Sequence, residues 1–100
     1  MDILEILTKA AVEHAADIFI VSGAVLSYKA EGKLYRMGET PLSPEDTKAL
    51  VVQIFRLAKF DVTEDSIPER EKDFSLSVAG VGRFRANIYK QRSSWSAVLR

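Results

Sequence analysis

Two rhythms of apolar and polar residues run along the chain, and each dictates a different element. Ile3, Leu7, Ala10, Ala11 and His14 recur at three- and four-residue spacing, which predicts an amphipathic helix from about Asp2 to Ala15 with His14 on or near its apolar face. Asp17 to Val21 is a short apolar run with β-branched and aromatic residues and reads as a buried strand ending at Ser22-Gly23. Val25 to Ala30 and Lys33 to Met37 flank Glu31-Gly32, a glycine-bearing turn suited to a hairpin. Gly38, Thr40 and Pro41 read as a loop leading to the clearest helix start in the chain. There Ser43 is placed to be the N-cap, Pro44 occupies the first helical position where its missing N–H costs nothing, and Asp46 takes the capping-box position. This helix is expected to run to about Ala58 and to bury Leu50, Val51, Ile54 and Phe55. From Lys59 to Lys72 the pattern lapses into charge around Pro68, so the segment reads as a solvated surface connection with room for at most a short helix.

The last third returns to strict alternation. Phe74, Leu76 and Val78 fall on one face and Asp73, Ser75 and Ser77 on the other. Taking Gly80-Val81-Gly82 as a three-residue turn pairs Val78 with Phe84, Leu76 with Ala86 and Phe74 with Ile88. Taking Gln91-Arg92-Ser93-Ser94 as a four-residue loop sets Lys90 opposite Trp95, Ile88 opposite Ala97 and Ala86 opposite Leu99. The core face then stays apolar across three strands, whereas a one-residue slip would bury arginines. On the opposite face Tyr89 meets Ser96, Asn87 meets Val98, and Arg85 meets Arg100. Like charges directly across a ladder destabilise a sheet by roughly 0.2–1 kcal/mol. An anion held between them would reverse the sign, and the planar fork of arginine suits phosphate. Arg83 lies on the same face one step along, and Arg92 sits in the loop. Arginines on such a face also serve simply for solubility and against edge pairing.

Composition narrows the function classes. One hundred residues, 47% of them hydrophobic, suffice for a single domain with one core, residues 1–100, without disulfides or metal. Zero formal net charge gives no global attraction to nucleic acid or an acidic membrane. The absence of cysteine removes disulfides, thiol nucleophiles and thiolate metal sites together. Charge is unevenly placed: residues 1–80 hold nine bases against fourteen acids, a net of −5, while residues 81–100 hold five bases and no acid. The N-terminus, Met1-Asp2-Ile3-Leu4-Glu5, lacks the basic and apolar regions of a signal peptide, and no stretch has the length of a membrane span. A soluble cytoplasmic protein is expected.

The run Glu71-Lys72-Asp73-Phe74-Ser75-Leu76, the turn Gly80-Val81-Gly82-Arg83-Phe84-Arg85-Ala86-Asn87, then Gln91-Arg92 and Ala97-Val98-Leu99-Arg100 resemble the amino-terminal domain of twitching-motility (pilus-retraction) ATPases of the PilT type. Upstream, Ala15-Ala16-Asp17-Ile18-Phe19-Ile20, Gly32-Lys33-Leu34 and Leu42-Ser43-Pro44-Glu45-Asp46 fit the same pattern, so the resemblance spans essentially the whole chain. It implies an α+β domain, a PAS-like antiparallel β-sheet flanked by helices and ending in a three-stranded meander, linked to a RecA-like ATPase core. It further implies a homo-hexamer in which this domain packs on its own and neighbouring cores, with pilus machinery at the inner face of the membrane as partner. ATP and Mg are the cofactors implied for the full-length protein, and none is expected on this chain alone. By the same resemblance Arg85 and Arg100 contact nucleotide phosphates, with Arg83 and Arg92 as supporting or interface residues. Phe19 stands where many members carry histidine. The chain has no G-x-x-x-x-G-K-[ST] phosphate loop, no Walker B acid and no histidine box, so it is not expected to hydrolyse ATP by itself.

Other candidates are weaker. His14, the only histidine, has no grouped metal partners and reads as a partly buried structural residue. Glu64, Asp65, Glu69 and Glu71 lack the glycine and spacing of a calcium loop, and Ser93-Ser94 reads as a turn. Lys90 opposite Trp95 predicts a cation–π contact. No nucleophile, base and orienter can be assembled. Two competing functions stay open: a stand-alone PAS-like ligand-sensing or protein-interaction module, marked by a discrete apolar cavity, and single-stranded nucleic-acid binding. The latter is disfavoured because the Arg85 face offers only Tyr89 for stacking, and no nucleic-acid partner is expected.

Overall fold

The structure, a computed structural model, describes residues 1–100. Its elements are α1 (Ile3–Val12), β1 (Asp17–Ile20), β2 (Val25–Ala30), β3 (Lys33–Pro41), α2 (Pro44–Leu57), β4 (Lys72–Val78), β5 (Gly82–Gln91) and β6 (Ser94–Leu99). The six strands form one antiparallel sheet in the order β3-β2-β1-β6-β5-β4. The fold is therefore α+β, with β4, β5 and β6 as a consecutive meander. Apolar side chains of both helices and of the inward strand positions join in a single core of 23 buried residues. No buried side-chain nitrogen or oxygen lacks a hydrogen-bond partner, as a closed core requires.

Both helices start and stop for identifiable reasons. The Asp2 side chain accepts from the Leu4 N–H at the head of α1. At α2 the capping box forms as the sequence predicts: Ser43 N–H donates to Asp46 Oδ2 (2.9 Å) while Asp46 N–H donates to Ser43 Oγ (3.1 Å). Each helix then closes in a Schellman motif. In α1, Ala15 N–H reaches Ala10 O and His14 N–H reaches Ala11 O; in α2, Phe60 N–H reaches Phe55 O and Lys59 N–H reaches Arg56 O. The residues forced into positive φ at these two ends are His14 (55°) and Lys59 (73°). The helix expected to continue to Ala15 therefore stops at Val12, and His14 is exposed on the far side of the cap rather than packed on the apolar face.

The sheet departs from the sequence reading in three places. β3 does not end at Met37 but continues through Gly38 and Thr40 to Pro41, after a register shift opposite Val25–Ser27. The β4–β5 hairpin is slipped by two residues: Leu76 faces Phe84, Phe74 faces Ala86 and Val78 faces Gly82. The turn centres on Gly80, φ 76°, with Val81 N–H donating to Val78 O at 3.0 Å, and positive φ there is what a type II turn demands of its third residue. Between β5 and β6 the register is the expected one, yet Gln91 already pairs with Ser94, so the loop is two residues, not four. Arg92 (φ 50°) and Ser93 (φ 69°) both take left-handed backbone, the type I′ signature. The connection 59–71 holds no helix, and it is only partly solvated, because Val62 and Ile67 are buried and Val62 O accepts from Arg56 Nε at 3.0 Å.

Candidate functional site

On the face of the sheet opposite the helices, polar and half-buried side chains are arranged in rows. One row runs Ser27, Phe19, Val98, Asn87, Asp73 across β2, β1, β6, β5 and β4. Phe19 is thus half-buried beside Val98. The neighbouring row carries the arginine pair. Arg85 and Arg100 exchange both backbone hydrogen bonds, each 2.8 Å, so they are directly opposed in a hydrogen-bonded position of the ladder.

The chain supplies its own anions to this pair, from outside it rather than between its members. Arg85 grips Asp73 in a fork, Nε to Oδ1 at 3.0 Å and a terminal nitrogen to Oδ2 at 3.2 Å. Arg100 Nε lies 3.2 Å from Asp17 Oδ1. The hydrogen bonds from Arg85 hold the Asp73 carboxyl below its ordinary range, against a smaller opposing effect of desolvation, with the charges of Arg85 and Arg100 adding to the lowering. The same bonds raise Arg85 further. Sequence-level repulsion between the arginines is thereby offset without an external ligand. Both guanidinium groups nevertheless remain open, with side chains 67% and 63% exposed. Arg85 commits one edge of its fork to Asp73 and Arg100 only its Nε, so N–H donors remain directed at solvent. Chemically the arrangement is two guanidinium groups held in place by carboxylates, with N–H donors to spare.

The other two predicted arginines do not join it equally. Arg83 is on the same face of β5, opposite Ser77, with no ion-pair partner. Arg92 is at the other end of β5, roughly 20 Å from Arg85 at about 3.3 Å per residue, and belongs to a different surface. Asp73 and Asp17 are the residues that sequence reasoning missed as partners. In the slipped register Asp73 lies diagonally beside Arg85, whereas the expected register set it four residues away. Elsewhere Lys90 Nζ stands 5.2 Å from the Trp95 ring centre, as expected, and also pairs with Glu69 at 3.0 Å. Glu71 accepts from Asn87 at 2.7 Å. No group of three or more His, Cys, Asp or Glu side chains is placed to hold a metal ion.

Comparison with characterised proteins bears on the family of the chain. No protein-family model matches the chain. Over all 100 residues it is 31% identical to the type IV pilus ATPase PilU and 32% identical to the type IV pilus retraction ATPase PilT, both of Pseudomonas aeruginosa. The chain matches the amino-terminal region of PilT- and PilU-type pilus ATPases. It spans only 25% and 28% of the lengths of those two relatives. Among solved structures, the pilus retraction motor PilT with bound ADP superposes over 100% of the chain and 29% of the motor, with a TM-score of 0.79 at 36% identity. The Legionella pneumophila ATPase DotB covers 98% of the chain at a TM-score of 0.71 and 20% identity, which shows the shared fold. No helix here is long and apolar enough to cross a membrane.

Proposed function

We propose that this chain works as the amino-terminal, PAS-like domain of a hexameric type IV pilus retraction ATPase. In that setting it packs on the RecA-like core of its own and a neighbouring subunit and presents Arg85 and Arg100 to the phosphates of ATP, which binds with Mg. The assembly acts in the cytoplasm at the pilus machinery on the inner face of the membrane. The observation that carries this reading is the directly opposed Arg85–Arg100 pair, with donors left free, in a chain matched end to end by a retraction motor with bound ADP. Arg83, exposed on the same strand, would support the interface. Division of labour follows from the missing phosphate loop: hydrolysis belongs to the core.

The test uses the protein in which this chain is followed by its motor core. Arg85→Ala and Arg100→Ala should each lower ATP turnover by about 10²-fold, the scale for losing one donor to transition-state charge, with the melting temperature of the domain little changed. Turnover within twofold of the parent in both variants would sink the arginine role. A frame that stops directly after Arg100 would instead favour the ligand-sensing module. Against that alternative, the largest cavity, about 390 Å³ beside Gly23, Leu34 and Arg36, is an open surface depression rather than an enclosed apolar chamber.

A further inference from the structure

Six residues near the β5–β6 turn converge on a polar crevice of about 270 Å³. It is lined by Val21 and Ser22 at the end of β1, Gln91 and Arg92 at the end of β5, and Ser94 and Ser96 of β6. The lining contains one cation, an amide and three hydroxyls, and no carboxylate. Arg92 has no ion-pair partner anywhere in the chain, unlike Arg85 and Arg100. Ser96 is only 1% exposed, and its hydroxyl forms no hydrogen bond within the protein. Since no fully buried polar atom lacks a partner, the part of that hydroxyl still accessible opens on the crevice it lines. That hydroxyl is thus a donor left free by the protein at the floor of the crevice.

The backbone gives a second, independent indication. Two hairpins in this sheet use two-residue turns with both residues at positive φ, Glu31-Gly32 and Arg92-Ser93. The first carries the glycine such a turn favours, and the second carries neither glycine nor asparagine at either position. Strain retained at a turn is characteristic of places where the side chain is needed there, and at this turn the side chain in question is an unpaired guanidinium.

We propose that this crevice is an oxyanion site that takes a phosphate group, with Arg92 as the charged donor and the Ser22, Ser94 and Ser96 hydroxyls and the Gln91 amide as neutral donors. The crevice is open to solvent, and its volume of about 270 Å³ leaves ample room for a phosphate group. The site stands independently of the pilus-motor reading, since it uses neither Arg85 nor Arg100.

The decisive measurement is amide NMR of the chain titrated with inorganic phosphate at constant ionic strength, with chloride as the control anion. Saturable shifts are expected at Ser22, Arg92, Ser94 and Ser96. Arg92→Gly, which suits the left-handed backbone, should weaken the apparent affinity by about tenfold or more, the equivalent of one charge-assisted hydrogen bond. Ser96→Ala should weaken it by a smaller factor, and both variants should keep the parent's peak dispersion. A parallel titration with ADP separates the sources: the same amides responding at lower concentration identify a nucleotide as carrier, and response to phosphate alone identifies the free ion. Equal shifts with chloride, shifts confined to Arg85 and Arg100, or unchanged affinity in Arg92→Gly would overturn the assignment.

Discussion

Three aromatic rings seal the connection between α2 and β4, and their unequal exposure makes a quantitative prediction. Phe55, 1% exposed, lies 5.2 Å from Phe74 and 5.6 Å from Phe60, and Phe60 lies 5.1 Å from Phe74. Phe60 is also the residue just past the α2 Schellman cap, where a hydrophobic contact back onto the last turn is the usual accompaniment. A fully buried phenylalanine removes about 150–250 Å² from water, worth about 4–6 kcal/mol at about 25 cal/mol per Å² and observed as about 3–5 kcal/mol on truncation to alanine. Phe55→Ala should therefore cost about 4 kcal/mol. Phe60, at 46% exposure, should cost about half of that, roughly 2 kcal/mol. At about 4–8 °C per kcal/mol for a domain of this size, Phe60→Ala lowers the melting temperature by roughly 8–16 °C. Urea unfolding followed by the fluorescence of the single, buried Trp95 reads both variants on one probe. A cycle combining Phe60→Ala with Phe74→Ala should show a coupling of about 0.5–1.5 kcal/mol. Equal losses for Phe55 and Phe60, or a coupling near zero, would refute the view that these rings tie the connection to the core.

Two further outcomes follow from local chemistry. Because Asp73 has its folded pKa depressed, chiefly by the hydrogen bonds from Arg85, its contribution to stability is complete above the ordinary carboxylate value of 3.8 and disappears as pH falls through the folded value. The stability gap between the parent and Asp73→Asn in urea melts should accordingly be present at neutral pH and vanish in strong acid, and a gap that persists there would contradict the ion-pair account. At the end of α2, Lys59→Gly should stabilise the chain by about 0.5–1 kcal/mol, since glycine meets φ 73° without steric penalty. A loss of stability in thermal melts would show that the Lys59 side chain packs more than its backbone strains.

What could be read from the sequence divides along physical lines. The start of α2 was legible because capping is local: Ser43, Pro44 and Asp46 act within one turn. The β5–β6 register was legible because a one-residue slip turns arginines into the core. That criterion has a blind spot, since side-chain direction repeats every two residues and a slip of two leaves every face unchanged. The β4–β5 hairpin used that freedom, centring its turn on Gly80, and so hid the Asp73–Arg85 fork. Asp17 was beyond reach for another reason: its approach to Arg100 needs β1 to pair with β6, which nothing local specifies. His14 was misplaced because a Schellman end with a non-glycine residue carries no composition signal. The crevice at Arg92 escaped notice with the length of its turn, which lacks the Asn-Gly pattern that marks two-residue hairpins.

The strand order has a consequence for how this sheet comes apart. Chain-neighbouring strands occupy its flanks, β1-β2-β3 on one side and β4-β5-β6 on the other, and each flank is joined by short turns. Only the central ladder, Ile18 with Leu99, Phe19 with Val98 and Ile20 with Ala97, links residues from opposite ends of the chain. Fraying of β3 or β4 removes one hairpin arm and leaves the rest standing. Opening the seam between β1 and β6 separates two three-stranded ribbons, tethered through α2 and its connection, and strips each of the partner strand along its inner edge. Cooperativity in this molecule is thus concentrated in its middle, where the contacts most distant in sequence are also the ones most costly in chain entropy to close.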